Sequence, residues 1–298
     1  MMKKVNQIKI VENMSTKELV NGMQNMGFGA GAINDASRIM KKMFLDKECK
    51  VFFGVAGAMV PGGMREVIID MLDNIDVFVT TGATLTHDLV EALGDSHYLT
   101  DPPFDDEKLH EEGYDRMYNV VMDNKVYIKL EDFFEKNWES FKECKNIKEL
   151  LWKIGELTPS KSILKICYKK RIPIFCPALA DSGIGLMIWG RLVSGKELNI
   201  DAFDDMKEII DIAWTAKKSG VIYIGGGTPK NFIQQSMQFS KGANYGIQIT
   251  TDRPEAGGSS GAPLKEGISW GKLQYDAEFV DVSCDATIAL PLIYASIK

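Results

Sequence analysis

The residues best suited to do chemistry are glycines placed just beyond short apolar runs. Gly82, Gly183, Gly185, the triplet Gly225-Gly226-Gly227, and Gly257, Gly258 and Gly261 follow such runs or line the stretches after them. A glycine accepts positive φ and lets a ligand approach the backbone, so loops of this kind suit the phosphates of a dinucleotide. The triplet does not complete GxGxxG, and on spacing alone it reads first as a tight turn. Thr80, Thr81 and Asp181 stand in the same loops, where they can serve a ligand or equally well cap the helices that follow. The cysteines (Cys49, Cys144, Cys167, Cys176, Cys284) are scattered, odd in number and never spaced as CxxC, which argues against a disulfide framework and a zinc site. With only His87, His97 and His110, a histidine-rich metal centre is not expected either.

Loops that share a ligand need elements that deliver them to one edge. Short runs rich in Val, Ile and Phe, beginning at Val51, Asp76, Ile172, Val221 and Tyr245, read as strands buried on both faces. Between them lie helical patterns, such as REVIIDMLDNI from Arg65 and DDMKEIIDIAWTAKKS from Asp204, with apolar residues recurring at three and four. The alternation predicts an α/β fold: one domain over residues 1–298 with a mostly parallel, Rossmann-like central sheet flanked by helices. In such sheets ligands collect at the carboxyl ends of the strands, where the glycines are. The stretch GAMVPGGM reads as core and turn.

Composition bounds the partners. The chain is 45% hydrophobic and 26% charged, and no Pro/Gly/Ser-rich linker, charge block or repeat divides its 298 residues. A formal charge of −6 argues against nucleic acid as a partner, because phosphate binding needs clustered Lys and Arg. A polycationic small molecule or a basic loop of another protein fits better. The basic N-terminus has no apolar run behind it, and no stretch approaches the roughly 20 apolar residues of a membrane span, so a cytoplasmic protein is expected. These features give an acidic α/β protein with a ligand cleft but no reaction.

The C-terminal segment supplies one. Ser260-Gly261-Ala262, Glu266, Ser269-Trp270-Gly271-Lys272 and Asp285-Ala286 together resemble the signature of the deoxyhypusine synthase family. The resemblance continues upstream through GGGTPKNF at 225–232, CPALADSGIG at 176–185, VTTGATLTHD at 79–88 and GFGAGAINDASRIM at 27–40. It implies NAD as cofactor and transfer of a four-carbon amine fragment through an imine on a lysine, with spermidine as donor and a translation-factor lysine as acceptor in the authentic synthases. By the same resemblance Lys272 is the nucleophile, Glu266 a carboxylate that binds a substrate ammonium and shuttles protons, and Trp270 an aromatic wall. Thr80, Thr81, Asp181, Gly226, Gly227, Thr251, Asp285 and Ala286 correspond to cofactor-binding positions. A homotetramer with shared active sites is implied as well.

Three positions depart from the spermidine-using pattern. Asn231 stands in place of a histidine, and Leu186 and Ser259 in place of aspartates that bind amines. A buried ammonium without a carboxylate costs several kcal/mol, unless Asp252, Glu255 or His87 compensates. The pattern looks like the deoxyhypusine synthase-like branch associated with homospermidine-type and agmatine condensations. A planar guanidinium prefers amide and carbonyl acceptors, which Asn231, Gln234 or Gln235 can supply. The expected acceptor is therefore a small amine such as agmatine or putrescine, with protein modification, a silent NAD-binding protein and a simple NAD-dependent dehydrogenase as the other readings.

Overall fold

The computed structural model describes residues 2–298. In chain order the elements are α1 (Thr16–Gly22), α2 (Phe28–Leu45), β1 (Cys49–Val55), α3 (Arg65–Met71), β2 (Val77–Thr80), α4 (Gly82–Ala92), β3 (Tyr98–Leu99), α5 (Asp106–Glu111), β4 (Tyr114–Met117), β5 (Val120–Asp123) and α6 (Val126–Phe141). They continue with α7 (Ile147–Leu157), α8 (Ile163–Lys170), β6 (Ile174–Phe175), α9 (Gly183–Val193), α10 (Ala202–Thr215), β7 (Lys218–Ile224), α11 (Gly227–Gln238), β8 (Ala243–Thr250), α12 (Glu266–Ser269), β9 (Leu273–Ser283) and α13 (Ala286–Ala295). The described chain clusters into two compact units, each assembled from discontinuous segments. Such interleaving leaves no linker to see in the sequence.

The first unit comprises the chain up to Ala56, Asn74–Val79 and Met206–Lys298. Its strands lie in the order β2-β1-β7-β8-β9. β1 pairs parallel with β7, β7 with β8, and β8 with β9. All of β1 except Lys50 is buried, as strands covered on both faces must be. Two glycines show how the covering helices approach. A side chain at Gly220 would meet Met43 of α2 at 2.6 Å, and one at Gly54 would meet Ile233 of α11 at 3.1 Å. Val51 pairs with Gly220 and Gly54 with Tyr223, so α2 and α11 lie on opposite faces of the sheet. The runs from Val51, Asp76, Val221 and Tyr245 are thus strands, and α/β architecture with a parallel, helix-flanked central sheet is what forms.

The second unit comprises Gly57–Asp73 and Thr80–Asp205. It is mostly helical, with the short strand β6 and a small antiparallel sheet in the order β3-β5-β4. α7 and α8 pack so closely that a Cβ at Gly155 would lie 2.3 Å from the Leu164 carbonyl oxygen. The buried Asp88 of α4 ties the start of α8 in place. It accepts from the Ile163 and Leu164 N–H groups at 3.0 and 3.1 Å and from Arg65 Nε at 2.9 Å. On the same helix His87 Nδ1 lies 2.9 Å from His97 Nε2, and His97 Nδ1 lies 2.9 Å from Glu91. Burial, reinforced by His97, pushes the His87 imidazole down to about 4. All five cysteines are free thiols. Among the described residues no helix is long and apolar enough to cross a membrane, and no cluster of three or more ligating side chains could hold a metal.

Candidate active site

The turn from β7 into α11 needs glycine. Gly225 and Gly227 have φ of +71° and +57°, and a Cβ on Gly226 would lie 2.2 Å from Ser260 Cα. The helix begins at once, with no side chain capping its first N–H groups. Asn231, Gln234, Gln235 and Gln238 follow at intervals of three, one and three, which places four side-chain amides on one face of α11. Lys230, preceding them, is buried, and its Nζ is surrounded by oxygen acceptors: Gln248 Oε1 at 2.8 Å, the Ser259 carbonyl at 2.7 Å and the Ala262 carbonyl at 2.6 Å.

Opposite this face runs the segment from Gly257 to Lys272. The one-turn helix α12 opens on Glu266, and Gly271 at φ +67° turns the chain into β9. The backbone of Lys272 is fixed on both sides. Its N–H donates to the Gly267 carbonyl at 2.8 Å, and its carbonyl accepts from the Ala243 N–H at 3.0 Å. The Lys272 side chain is only 9% exposed, and its Nζ lies 5.0 Å from the centroid of the half-exposed Trp270 ring. That distance suits a cation–π contact when the amine is charged. A cavity of about 310 Å³ is lined by these elements, and Glu266 is the one carboxylate among its lining residues.

Seven of the side chains singled out in the sequence meet there, Lys272, Glu266, Trp270, Asn231, Gln234, Gln235 and Ser259, together with Gly257 and Gly258. Lys230 and Gln238 line the cavity too and were not expected. Gln238 could have been found from the helical spacing of the amides, whereas a lone lysine carries no sequence signal for burial. Leu186 belongs to the second unit, where it is exposed on α9 and lines an apolar hollow with Ile188, Trp189 and Leu192. Also in that unit, Thr80 is the buried last residue of β2, and Thr81 caps α4 by accepting from the Thr84 N–H. Asp181 precedes Ser182, which is the residue that caps α9.

In the first unit Gly226, Gly227, Thr251, Asp285 and Ala286 follow the carboxyl ends of β7, β8 and β9, which are neighbours. The Asp285 carboxylate caps α13 by accepting from the Thr287 N–H at 2.7 Å. An uncapped helix N-terminus behind a glycine turn, at the carboxyl edge of a parallel sheet, suits the pyrophosphate of a dinucleotide. The residues present therefore fit such a group.

A family model described as deoxyhypusine synthase matches residues 18–297. The Methanosarcina acetivorans protein named probable deoxyhypusine synthase 1 is 44% identical over 295 residues, covering 97% of this chain and 93% of that protein. A protein of the same name from Archaeoglobus fulgidus is 40% identical over 290 residues, covering 96% and 95%. Among solved structures, an Entamoeba histolytica protein proposed to be a deoxyhypusine synthase superposes with a TM-score of 0.65 at 21% identity, covering 97% of this chain and 96% of that one. At that identity the likeness concerns the fold.

Proposed function

The chain belongs to the deoxyhypusine synthase family, and from that premise we propose that it is an NAD-dependent transferase. It carries a four-carbon amino or guanidino fragment on Lys272 and passes it to a small amine such as agmatine or putrescine. The observation that carries this reading is the chemistry of one cavity: a nearly buried lysine against an indole, a single carboxylate, and a helix face of neutral amides. Several ammonium groups would find one partner there, whereas a guanidinium can use amide oxygens.

When bound, NAD would supply the hydride acceptor that oxidises the carbon beside the donor amine and the hydride that reduces the product. Gly226, Gly227, Thr251, Asp285 and Ala286 would hold the cofactor. Trp270 packs on the aliphatic chain of the substrate, and Glu266 accepts from its cationic end. The lone pair of Lys272 Nζ adds to the oxidised carbon, the donor's amine leaves with a proton, and the fragment stays joined to Lys272 as an imine. An acceptor amine then adds to the same carbon and displaces Lys272. Glu266, the carboxylate lining the same cavity, would take and return the protons that these additions release.

Borohydride added with donor and NAD should trap an adduct on Lys272. Lys272→Ala should lose trapping and turnover together, and Lys272→Arg should fail as well, because a guanidinium stays protonated. Full activity in either variant refutes the mechanism. Mass spectrometry of the products from spermidine, putrescine and agmatine, each offered alone, identifies the amine. Accumulating NADH would mark a dehydrogenase, and no product from any of them a silent binder. A second reading, aminobutyl transfer from spermidine to a translation-factor lysine, is favoured by the names of the relatives at 40–44% identity. We propose a homotetramer in the cytoplasm for either reading.

A further inference from the structure

Ser259–Ala262 forms part of the wall of the Lys272 cavity, and two side chains hold three of its four carbonyls. Lys230 takes those of Ser259 and Ala262, while its third contact is Gln248 Oε1. Gln248, on β8, then donates from Nε2 to the Ser260 carbonyl at 2.7 Å. Both side chains are 1% exposed. An ammonium has three hydrogens and no acceptor, and here three acceptors meet them. The lysine also sets which way the Gln248 amide points, oxygen inward and nitrogen toward Ser260.

The rest of the wall is fitted to this clamp. Gly226 has no side chain where Ser260 approaches, and a Cβ on Gly261 would lie 2.1 Å from the Arg253 carbonyl oxygen. Beyond it the Leu264 N–H donates to Asp281 of β9 at 3.0 Å. The direct bonds of Lys230 are all to neutral oxygens, so its charge is not paired in contact. Burying a cation in that way is costly, and a methionine would fill the same space without the cost.

We propose that Lys230 is a positioning residue: with Gln248 it fixes the Ser259–Ala262 wall, and so sets where an amine substrate's chain lies relative to Lys272. Burial pushes the Lys230 amine down to about 8, which leaves it charged, with all three hydrogens in use, at neutral pH. Without the clamp three part-buried carbonyls lose these donors, and the wall is free to move to find others. A displacement of about 1 Å at a reacting centre can cost on the order of 100-fold in rate. The proposal rests on the reading of Lys272 as nucleophile.

The test compares the unaltered protein with Lys230→Met, Gln248→Leu and the double variant, each checked for folding by circular dichroism. Lys230→Met should still be trapped at Lys272 by borohydride but lose tenfold or more in kcat, with a smaller change in KM. Gln248→Leu should move kcat in the same direction, and the double variant should be little worse than Lys230→Met alone. If Lys230→Met does not fold, Gln248→Asn, which shortens one arm by a methylene and keeps the lysine, should lower kcat severalfold. A folded Lys230→Met with kcat and KM within twofold of the unaltered protein overturns the proposal, as do losses in the two single variants that simply multiply. Absence of trapping in the unaltered protein would instead refute the nucleophile reading, a result separable from these kinetic ratios.

Discussion

Ammonium and guanidinium groups ask different things of a binding wall. An ammonium is a compact charge best met by a carboxylate, whereas a guanidinium spreads its charge over a plane with five N–H donors. The α11 face offers Asn231, Gln234, Gln235 and Gln238, and Ser259 adds a hydroxyl rather than a carboxylate. A hydrogen bond to a charged group is worth about 1.5–3 kcal/mol, so restoring one good anchor should shift preference tenfold or more. Asn231→His combined with Ser259→Asp should therefore raise spermidine turnover relative to agmatine, measured on folded protein with NAD binding checked in parallel. If the unaltered enzyme already cleaves spermidine and modifies a translation-factor lysine faster than it condenses small amines, this reading of the wall is wrong. Asn231, Gln234 and Gln235 were legible in the sequence because they lie in or beside the family-like block GGGTPKNF, whereas Gln238 needed the helical spacing of α11 to be seen with them. Lys230 was not, because a buried lysine and a solvated one look alike until the acceptors around it are known.

At the scale of elements, α4 carries a titration the site does not use. The His87 imidazole is pushed down to about 4 by burial and by His97, against a smaller upward pull from Glu91. In an unfolded chain it titrates near 6.5. Between those values the unfolded state binds more protons, so stability is fully present above about 6.5 and falls as pH drops toward 4, by up to about 3 kcal/mol. Thermal melts across that window should show the slope, and His87→Gln should flatten it; an unchanged slope in the variant would assign the effect to other groups. The legibility of the strands follows burial. β1 and β7 are nearly wholly buried and read as apolar runs, whereas β9, at the edge of the first unit's strand order, mixes buried, half-buried and exposed residues. Its sequence, LQYDAEFVDVS, has no unbroken apolar run to find. β3 and β4 escape notice for a similar reason, since neither has a buried residue and neither forms an apolar run.

At the scale of the molecule, α9 presents Leu186, Trp189 and Val193, exposed at 56%, 62% and 68%. An apolar face of this kind is a liability on a free monomer and suits the copy-to-copy contacts of the proposed homotetramer. Light scattering should show an oligomer that Trp189→Glu shifts to smaller species, and an unaltered chain that is monomeric while active would contradict the assembly. One feature of the sheet also governs how the protein is made. Cys49 of β1 pairs with Lys218 of β7, so the first strand leaves the ribosome long before its neighbour exists. At roughly 5–20 residues per second the wait is on the order of ten seconds or more. Throughout it Phe52, which shares the α11 face of the strand with Gly54 and is wholly buried in the finished sheet, has no α11 to cover it. Ribosome-bound chains should stay cleavable within β1 until β7 has emerged, and early protection there would show that another contact shelters it. The interval of exposure is set by the speed of synthesis, so slowing translation between the two strands should lower the yield of soluble protein.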